Sequence, residues 1–337
     1  MNSSIALCWF RRDLRIHDHV ALFHALKNHE RVYCAFVFDN DILDALTKKE
    51  DRRVEFIWHS IAELNQELGK HGGELIVRHG RAADEIPKLA TELKVQAVYA
   101  NHDYEPRAIG RDQAVAATLA KTDIEFLSFK DQVVFEKDEV LTQAGRPFTV
   151  FTPYKNAWLK KLDDSFLQAH LVEKYLHRLA KPDLHSPIPT LEFLGFHTTN
   201  LLQLGIRHGM SGVRATLQDF LPRLAGYKQR RDFPGIKGVS YLSVHNRFGT
   251  ISIRELARIA TAENSEGAQT WLAELIWRDF YFNILYHFPH AAERSFKPEF
   301  ANLKFENDNH KFRAWCEGKT GYPIVDAGMR QLLAQGW

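Results

Sequence analysis

The first 130 residues alternate short, nearly continuous apolar runs with amphipathic stretches. No other feature of this chain restricts its fold as much. The runs are 5–10, 32–38, 75–78, 97–100 and 125–129. Between them, 18–28, about 49–69, 82–93 and 107–121 predict helices, the second stopped by Gly69 and Gly72-Gly73. A strand that is apolar on both faces must be covered on both, so the pattern predicts a parallel, doubly wound α/β sheet of Rossmann-like type. Ligands on such sheets sit outside the carboxyl ends of the strands. Those loops carry Arg11-Arg12-Asp13, Asp39, His79-Gly80 and Asn101-His102-Asp103. No G-x-G-x-x-G follows the first run, so the usual dinucleotide fingerprint is missing.

From 131 to 206 the rhythm is lost. Lys181-Pro182, Ser186-Pro187-Ile188-Pro189 and Gly195 mark a connecting segment. Within it, 148–161 is aromatic and basic, and its simplest reading is a linker lying over the first domain. From 207 the pattern turns helical. The expected organisation is an α/β domain over 1–131, a linker over 132–206 and an all-α domain over 207–337, in line with two domains for 337 residues. The chain ends at Gly336-Trp337 inside an apolar helical pattern, which reads as a cut through the second domain and not as its boundary.

Residues 271–281 have neither Gly nor Pro and predict one helix. On a wheel of about 100° per residue, Trp271, Glu274, Trp277, Arg278 and Tyr281 fall within roughly 120°. Leu272, Ala273, Leu275, Ile276 and Phe280 fill most of the rest, so the helix is expected to be buried nearly all round. A buried Glu and Arg must be paired or bound to something. One reading is a Glu274–Arg278 ion pair at i,i+4 in a packed core. The other is a pocket floor that stacks flat rings and recognises their polar edges.

Charge and cysteine content narrow the function classes. Net charge is +2, so bulk charge declares no nucleic-acid partner, yet 207–258 holds ten Lys or Arg against three acids. That excess suits phosphate, or a solvated basic surface. Three cysteines without a C-x-x-C, two of them in apolar runs, argue against disulfides or zinc and for a reducing compartment. The 17 His show no ligand spacing, so no metal is expected. Neither a signal peptide nor an apolar run of membrane-spanning length is evident.

Four stretches resemble the DNA photolyase/cryptochrome family. They are Cys8-Trp9-Phe10-Arg11-Arg12-Asp13-Leu14-Arg15-Ile16-His17-Asp18, Tyr227-Lys228-Gln229-Arg230-Arg231-Asp232-Phe233-Pro234, the helix over 271–281, and Thr320-Gly321-Tyr322-Pro323-Ile324-Val325-Asp326-Ala327-Gly328-Met329-Arg330-Gln331-Leu332. They run in order along the whole chain, and the last is the most specific. Among subgroups the likeness is to bacterial photolyases for cyclobutane pyrimidine dimers.

The resemblance implies an α/β antenna domain followed by a helical FAD domain, incomplete at its C-terminus. It implies FAD contacts from Tyr227, Val239, Ser240, Tyr241, Leu242, Ser243, Trp271 and Arg278. Val239 stands where relatives usually carry Thr, so one hydroxyl is lost. Arg231, Glu274, Trp277, Arg278 and Tyr281 would meet damaged DNA. In that set Trp277 would stack on the flipped lesion and Glu274 would hydrogen-bond its base edges. The implied activity is that of a deoxyribodipyrimidine photo-lyase, a light-dependent repair in which an electron passes from reduced FAD to the flipped-out dimer. The alternatives are a cryptochrome-like blue-light sensor without repair, or an inactive fragment.

A monomeric cytoplasmic protein, at the nucleoid when on UV-damaged DNA and with no membrane partner, is the matching expectation. For a second, antenna chromophore, folate-binding relatives use an Asn-Glu pair and a distant Lys, where this chain has Arg107-Ala108 and Glu293. Arg53, Asp103 and Glu105 look more like relatives holding a deazaflavin or FMN, so a flavin-type antenna, or none, is expected. The outermost Trp of the family's electron chain is Phe305 here, ten residues before Trp315, and the other two positions lie beyond Trp337. Slow photoreduction follows. Without the family's last wall, the 337-residue chain expressed alone is expected to bind FAD weakly or not at all and to repair nothing, although its α/β domain folds, and to leave Ile324, Met329, Leu332 and Leu333 poorly covered.

Overall fold

The computed structural model describes residues 4–184 and 186–336. Met1 and Trp337, the outer bounds of the two expected domains, lie outside the described residues. Five strands, β1 (Ile5–Phe10), β2 (Arg31–Asp39), β3 (Leu75–Gly80), β4 (Ala97–Asn101) and β5 (Glu125–Phe129), form one parallel sheet in the order β3-β2-β1-β4-β5. Around it lie α1 (Val20–Asn28), α2 (Asn40–Leu43), α3 (Arg52–Gly69), α4 (Ala82–Glu92) and α5 (Pro106–Leu119). Both faces are covered, as the apolar strands require. Side chains alternate across β1: Ala6, Cys8 and Phe10 join the core under α1 and α3, while Leu7 and Trp9 join the one under α4 and α5. Cys8 lies opposite Cys34 on β2; both thiols are free and buried, and burial pushes both well above the usual thiol range.

The segment expected as a linker divides in two. Val134, Phe135, Val140, Tyr154, Trp158 and Leu167 belong to the helical core. Val172, Leu176, Leu179, Leu191, Leu194 and Phe196 turn back onto the α/β core. The aromatic, basic stretch is not a linker over the first domain: it is α6 (Phe151–Lys161), and it packs on the second. The helical region continues with α7 (Gly209–Phe220), α8 (Tyr227–Arg230), α9 (Ser243–Phe248), α10 (Ile253–Ala262), α11 (Glu266–His287), α12 (Asn309–Cys316) and α13 (Pro323–Gln335). Along α13, Ile324, Leu332 and Leu333 are exposed and Met329 is half-buried.

The order of strands reverses between β1 and β4, and the helical domain docks on the loop that follows β1. Leu14 N donates to Phe248 O at 3.1 Å, and the Arg15 guanidinium donates to Gly249 O at 3.1 Å. Gly249 has φ +64°, and a Cβ there would stand 2.1 Å from Arg12 O, so only glycine fits. Two buried arginines and two buried aspartates close the seam. Arg15 holds Asp131 at 2.7 Å, and Arg254 reaches both Asp18 and Asp131 at 2.9 Å. Burial alone would raise these carboxyls. The hydrogen bond from His170 and the charges of Arg254 and Arg15 hold Asp18 well below its ordinary value, and Arg15 and Arg254 do the same for Asp131. Among the described residues no helix is long and apolar enough to cross a membrane.

Candidate functional site

The site is built on α11. Ser265 caps its N-terminus, its Oγ accepting from Ala268 N at 3.2 Å. At Gly267 the helix touches backbone: a Cβ would stand 2.1 Å from Leu224 O. Ala268, Trp271, Leu272, Leu275, Ile276, Asp279, Phe280, Asn283 and Ile284 are buried at helical spacing along one face. The helix is therefore not buried all round, as its composition predicts; one arc reaches the surface.

The five polar and aromatic residues of the predicted arc separate accordingly. Trp271 points inward, its ring 5.1 Å from that of Phe220, which also meets Tyr227 at 5.9 Å. Arg278 is drawn under the surface, where it donates to Gln132 O and, at 3.3 Å, to Asn246 O, with its guanidinium 4.7 Å from the centre of the Phe282 ring. Burial lowers it to about 10. Glu274 pairs not with Arg278 but with Arg231, just past α8, whose guanidinium lies 5.4 Å from the Tyr227 ring. Trp277 and Tyr281 stack at 5.4 Å and 24° on the open side, and Tyr281 is 61% exposed. A second parallel ring on Trp277 is that of Phe151, from α6, at 3.6 Å and 8°. Reading 148–161 as a linker misses Phe151. The signal was present in Phe151, Tyr154 and Trp158, aromatic at i, i+3 and i+7.

The segment expected at the flavin runs beside α8. Arg223 donates to Lys237 O at 2.8 Å and Val239 O at 3.2 Å, and a Cβ on Gly238 would stand 2.6 Å from Arg230 O. Tyr241 has φ +56°, an uncommon backbone for a bulky residue and one that only a constrained loop holds. Leu242 is buried with Tyr227 and Trp271, Ser240 is half-buried, and Val239 and Ser243 are exposed. Two serines beside a core of Tyr and Trp, Ser240 with its Oγ accepting from Leu242 N at 3.4 Å and Ser243 exposed, suit a ligand with an anionic and an aromatic end. They fit a flavin dinucleotide.

Ser243 also lines a cleft of about 1270 Å³ with Arg53, Phe56, Asn200, Arg247 and Leu333. Arg53, 2.5 Å from Asp51, stands in its wall. Asp103 and Glu105 instead meet Arg12, at 3.3 and 2.7 Å, and Glu105 reaches the cleft through Arg247, also at 2.7 Å. Part of the basic excess over 207–258 is neutralised from outside that window. Arg254 pairs with Asp18 and Asp131, Arg231 with Glu274, Lys228 with Glu266 and Arg247 with Glu105. Phe305 is 72% exposed, and Trp315 stacks on Phe312 at 5.9 Å.

A doubly wound α/β unit joined at its switch point to a helical unit with an aromatic, half-open helix is the architecture of the photolyase–cryptochrome class. Residues 6–174 match the family model for DNA photolyase, and 271–337 match that for the FAD binding domain of DNA photolyase. The chain belongs to the DNA photolyase family. It is 34% identical to the deoxyribodipyrimidine photo-lyase of Alkalihalophilus pseudofirmus, all of the chain aligning with 71% of that protein. It is 36% identical to that of Vibrio cholerae, with 98% of the chain and 72% of the relative covered. Among solved structures, the class III photolyase from Agrobacterium tumefaciens matches at TM-score 0.88 and 28% identity, over 100% of this chain and 70% of that one. The Synechocystis cryptochrome matches at 0.84 and 23% over 100% and 73%, a likeness of fold.

Proposed function

We propose that this chain repairs cyclobutane pyrimidine dimers in DNA in a light-dependent reaction with FAD as cofactor. The observation that carries the reading is the half-open Trp277–Tyr281 ring pair one turn from the Glu274–Arg231 ion pair. A flipped pyrimidine dimer offers flat apolar faces and polar edges. Trp277 supplies a stacking surface worth roughly 1–3 kcal/mol per base, which offsets the few kcal/mol of extruding a damaged site. Glu274 accepts hydrogen bonds from base edges, and Arg231 both orients that carboxylate and brings positive charge towards the DNA backbone. Tyr281 widens the stacking lip. When bound and reduced, FAD supplies the light-excited electron. Ser240 and Ser243 would hold its diphosphate, and Tyr227, Leu242 and Trp271 would back its rings. Arg278 contributes from below, fixing the turn of α11 to Gln132 and Asn246.

The cleft walled by Arg53 and Arg247 has room for a second, flavin-type antenna. The archaeal photolyase of Sulfolobus tokodaii, 30% identical with TM-score 0.82 over 99% of this chain and 71% of that one, is described with two FAD molecules, with the implication of a novel light-harvesting cofactor. A light-minus-dark assay on a dimer-containing oligonucleotide, with fully reduced, flavin-loaded protein, tests the main reading. Loss of dimers in the light alone is the expected result. No light-dependent loss overturns the repair reading.

A further inference from the structure

We infer that Phe151 is a positioning residue for the lesion site, holding the Trp277 indole in the plane a flipped base must meet. The inference rests on the repair reading. A half-exposed indole on an isolated helix can swing about its side-chain torsions, and ordering it on binding costs affinity. Here it cannot swing freely. Phe151 lies on one face at 3.6 Å and 8°, and Phe280 stands against it at 5.7 Å and 73°. Phe151 is fixed in turn by the rest of α6. Tyr154, one turn on, is fully buried with its ring 5.2 Å from Phe280, and Trp158 donates from Nε1 to Asp279 at 3.1 Å. Three residues on one face of α6 thus grip a single turn of α11, residues 277–280, with Phe151 at the open end. Because Phe151 takes one indole face, a base stacking face-to-face on Trp277 must use the other, beside or in place of the Tyr281 ring at 5.4 Å and 24°.

Binding in the dark, in the presence of FAD, is measured by fluorescence anisotropy on a duplex carrying one thymine dimer and on the undamaged duplex. Phe151→Ala is expected to weaken dimer binding by about 3- to 10-fold, the worth of one aromatic pair, with undamaged binding unchanged. Phe151→Leu, which keeps bulk without a flat face, should fall between. In protein labelled with 5-fluorotryptophan, the ¹⁹F resonance lost in Trp277→Phe identifies Trp277. That resonance alone should shift and broaden in Phe151→Ala, whereas a general packing defect would also move that of Trp158. If Trp277→Ala weakens dimer binding but neither Phe151 variant does, the positioning role is overturned and the repair reading stands. If Trp277→Ala leaves dimer binding unchanged, the repair reading falls and the role falls with it. A Phe151→Ala chain that does not fold leaves Phe151→Leu to decide by the same two measurements.

Discussion

Asp279 follows Arg278 in sequence and faces the helical core, where it is 1% exposed. One carboxylate oxygen accepts from Val134 N at 3.0 Å, Phe135 N at 3.2 Å and Trp158 Nε1 at 3.1 Å. The other is buried without a hydrogen-bond partner among the described residues. Burial outweighs the Arg278 charge and the three donors, and raises the group to about 6. The sign of the pH effect follows. A carboxyl raised in the folded state binds its proton more tightly there than in the unfolded chain. Its contribution to stability is therefore fully present below the unfolded value near 4 and is lost as pH rises through about 6. The difference in unfolding free energy between the native chain and Asp279→Asn should shift by about 3 kcal/mol between pH 4 and pH 7, against the native chain at pH 7. Urea titrations at the two pH values check this, and the difference cancels the other carboxyls.

Where α11 starts, Gly267 lets two elements touch backbone to backbone. Replacing it with Ala gains up to about 1 kcal/mol of helix propensity, but the new Cβ would stand 2.1 Å from Leu224 O and 2.4 Å from Ala225 O. Neither atom is the end of a flexible side chain, so the clash wins. Gly267→Ala is expected to lower stability by about 1–3 kcal/mol in urea unfolding. The same helix shows what a sequence displays and what it conceals. Its full extent, from Glu266 to His287, was not legible, but its middle was, since residues 271–281 hold neither Gly nor Pro. So were all five strands, because apolar residues on both faces leave a buried sheet as the only home. Which part of the 271–281 wheel faces water was not legible, because a wheel carries no neighbours. Arg231, 43 positions away, takes Glu274 from the nearer Arg278. Phe151, 126 positions away from Trp277, supplies the ring on its inner face, and only the fold brings either pair together. For the same reason the basic stretch after 207 overstated the free charge, since several of its counter-ions, such as Asp18, Glu105 and Glu274, lie elsewhere in the chain.

At the scale of the whole molecule, the seam of Arg15, Asp18, Asp131 and Arg254 joins the two domains. Removing one member of a buried pair strands the other, so Asp131→Asn should cost about 3–5 kcal/mol at pH 7, measured by urea unfolding. Both aspartates are held below their ordinary values, so the stability they contribute is complete above the unfolded value near 4 and is lost as pH falls below it. The acid-unfolding limb of Asp131→Asn should accordingly be shallower than that of the native chain. The same seam can be described as a binding equilibrium. The helical domain is a tethered ligand of the sheet, present at an effective concentration on the order of millimolar, and it occupies the edge where a diffusible molecule would otherwise exchange. A guest in the neighbouring cleft has no need to compete for that edge, but it shares Arg247 with it: the guanidinium reaches Glu105 while the carbonyl accepts from Arg12. Guest binding and domain docking are therefore linked variables. Whatever free energy a guest adds to the docked arrangement, docking adds equally to the affinity for that guest.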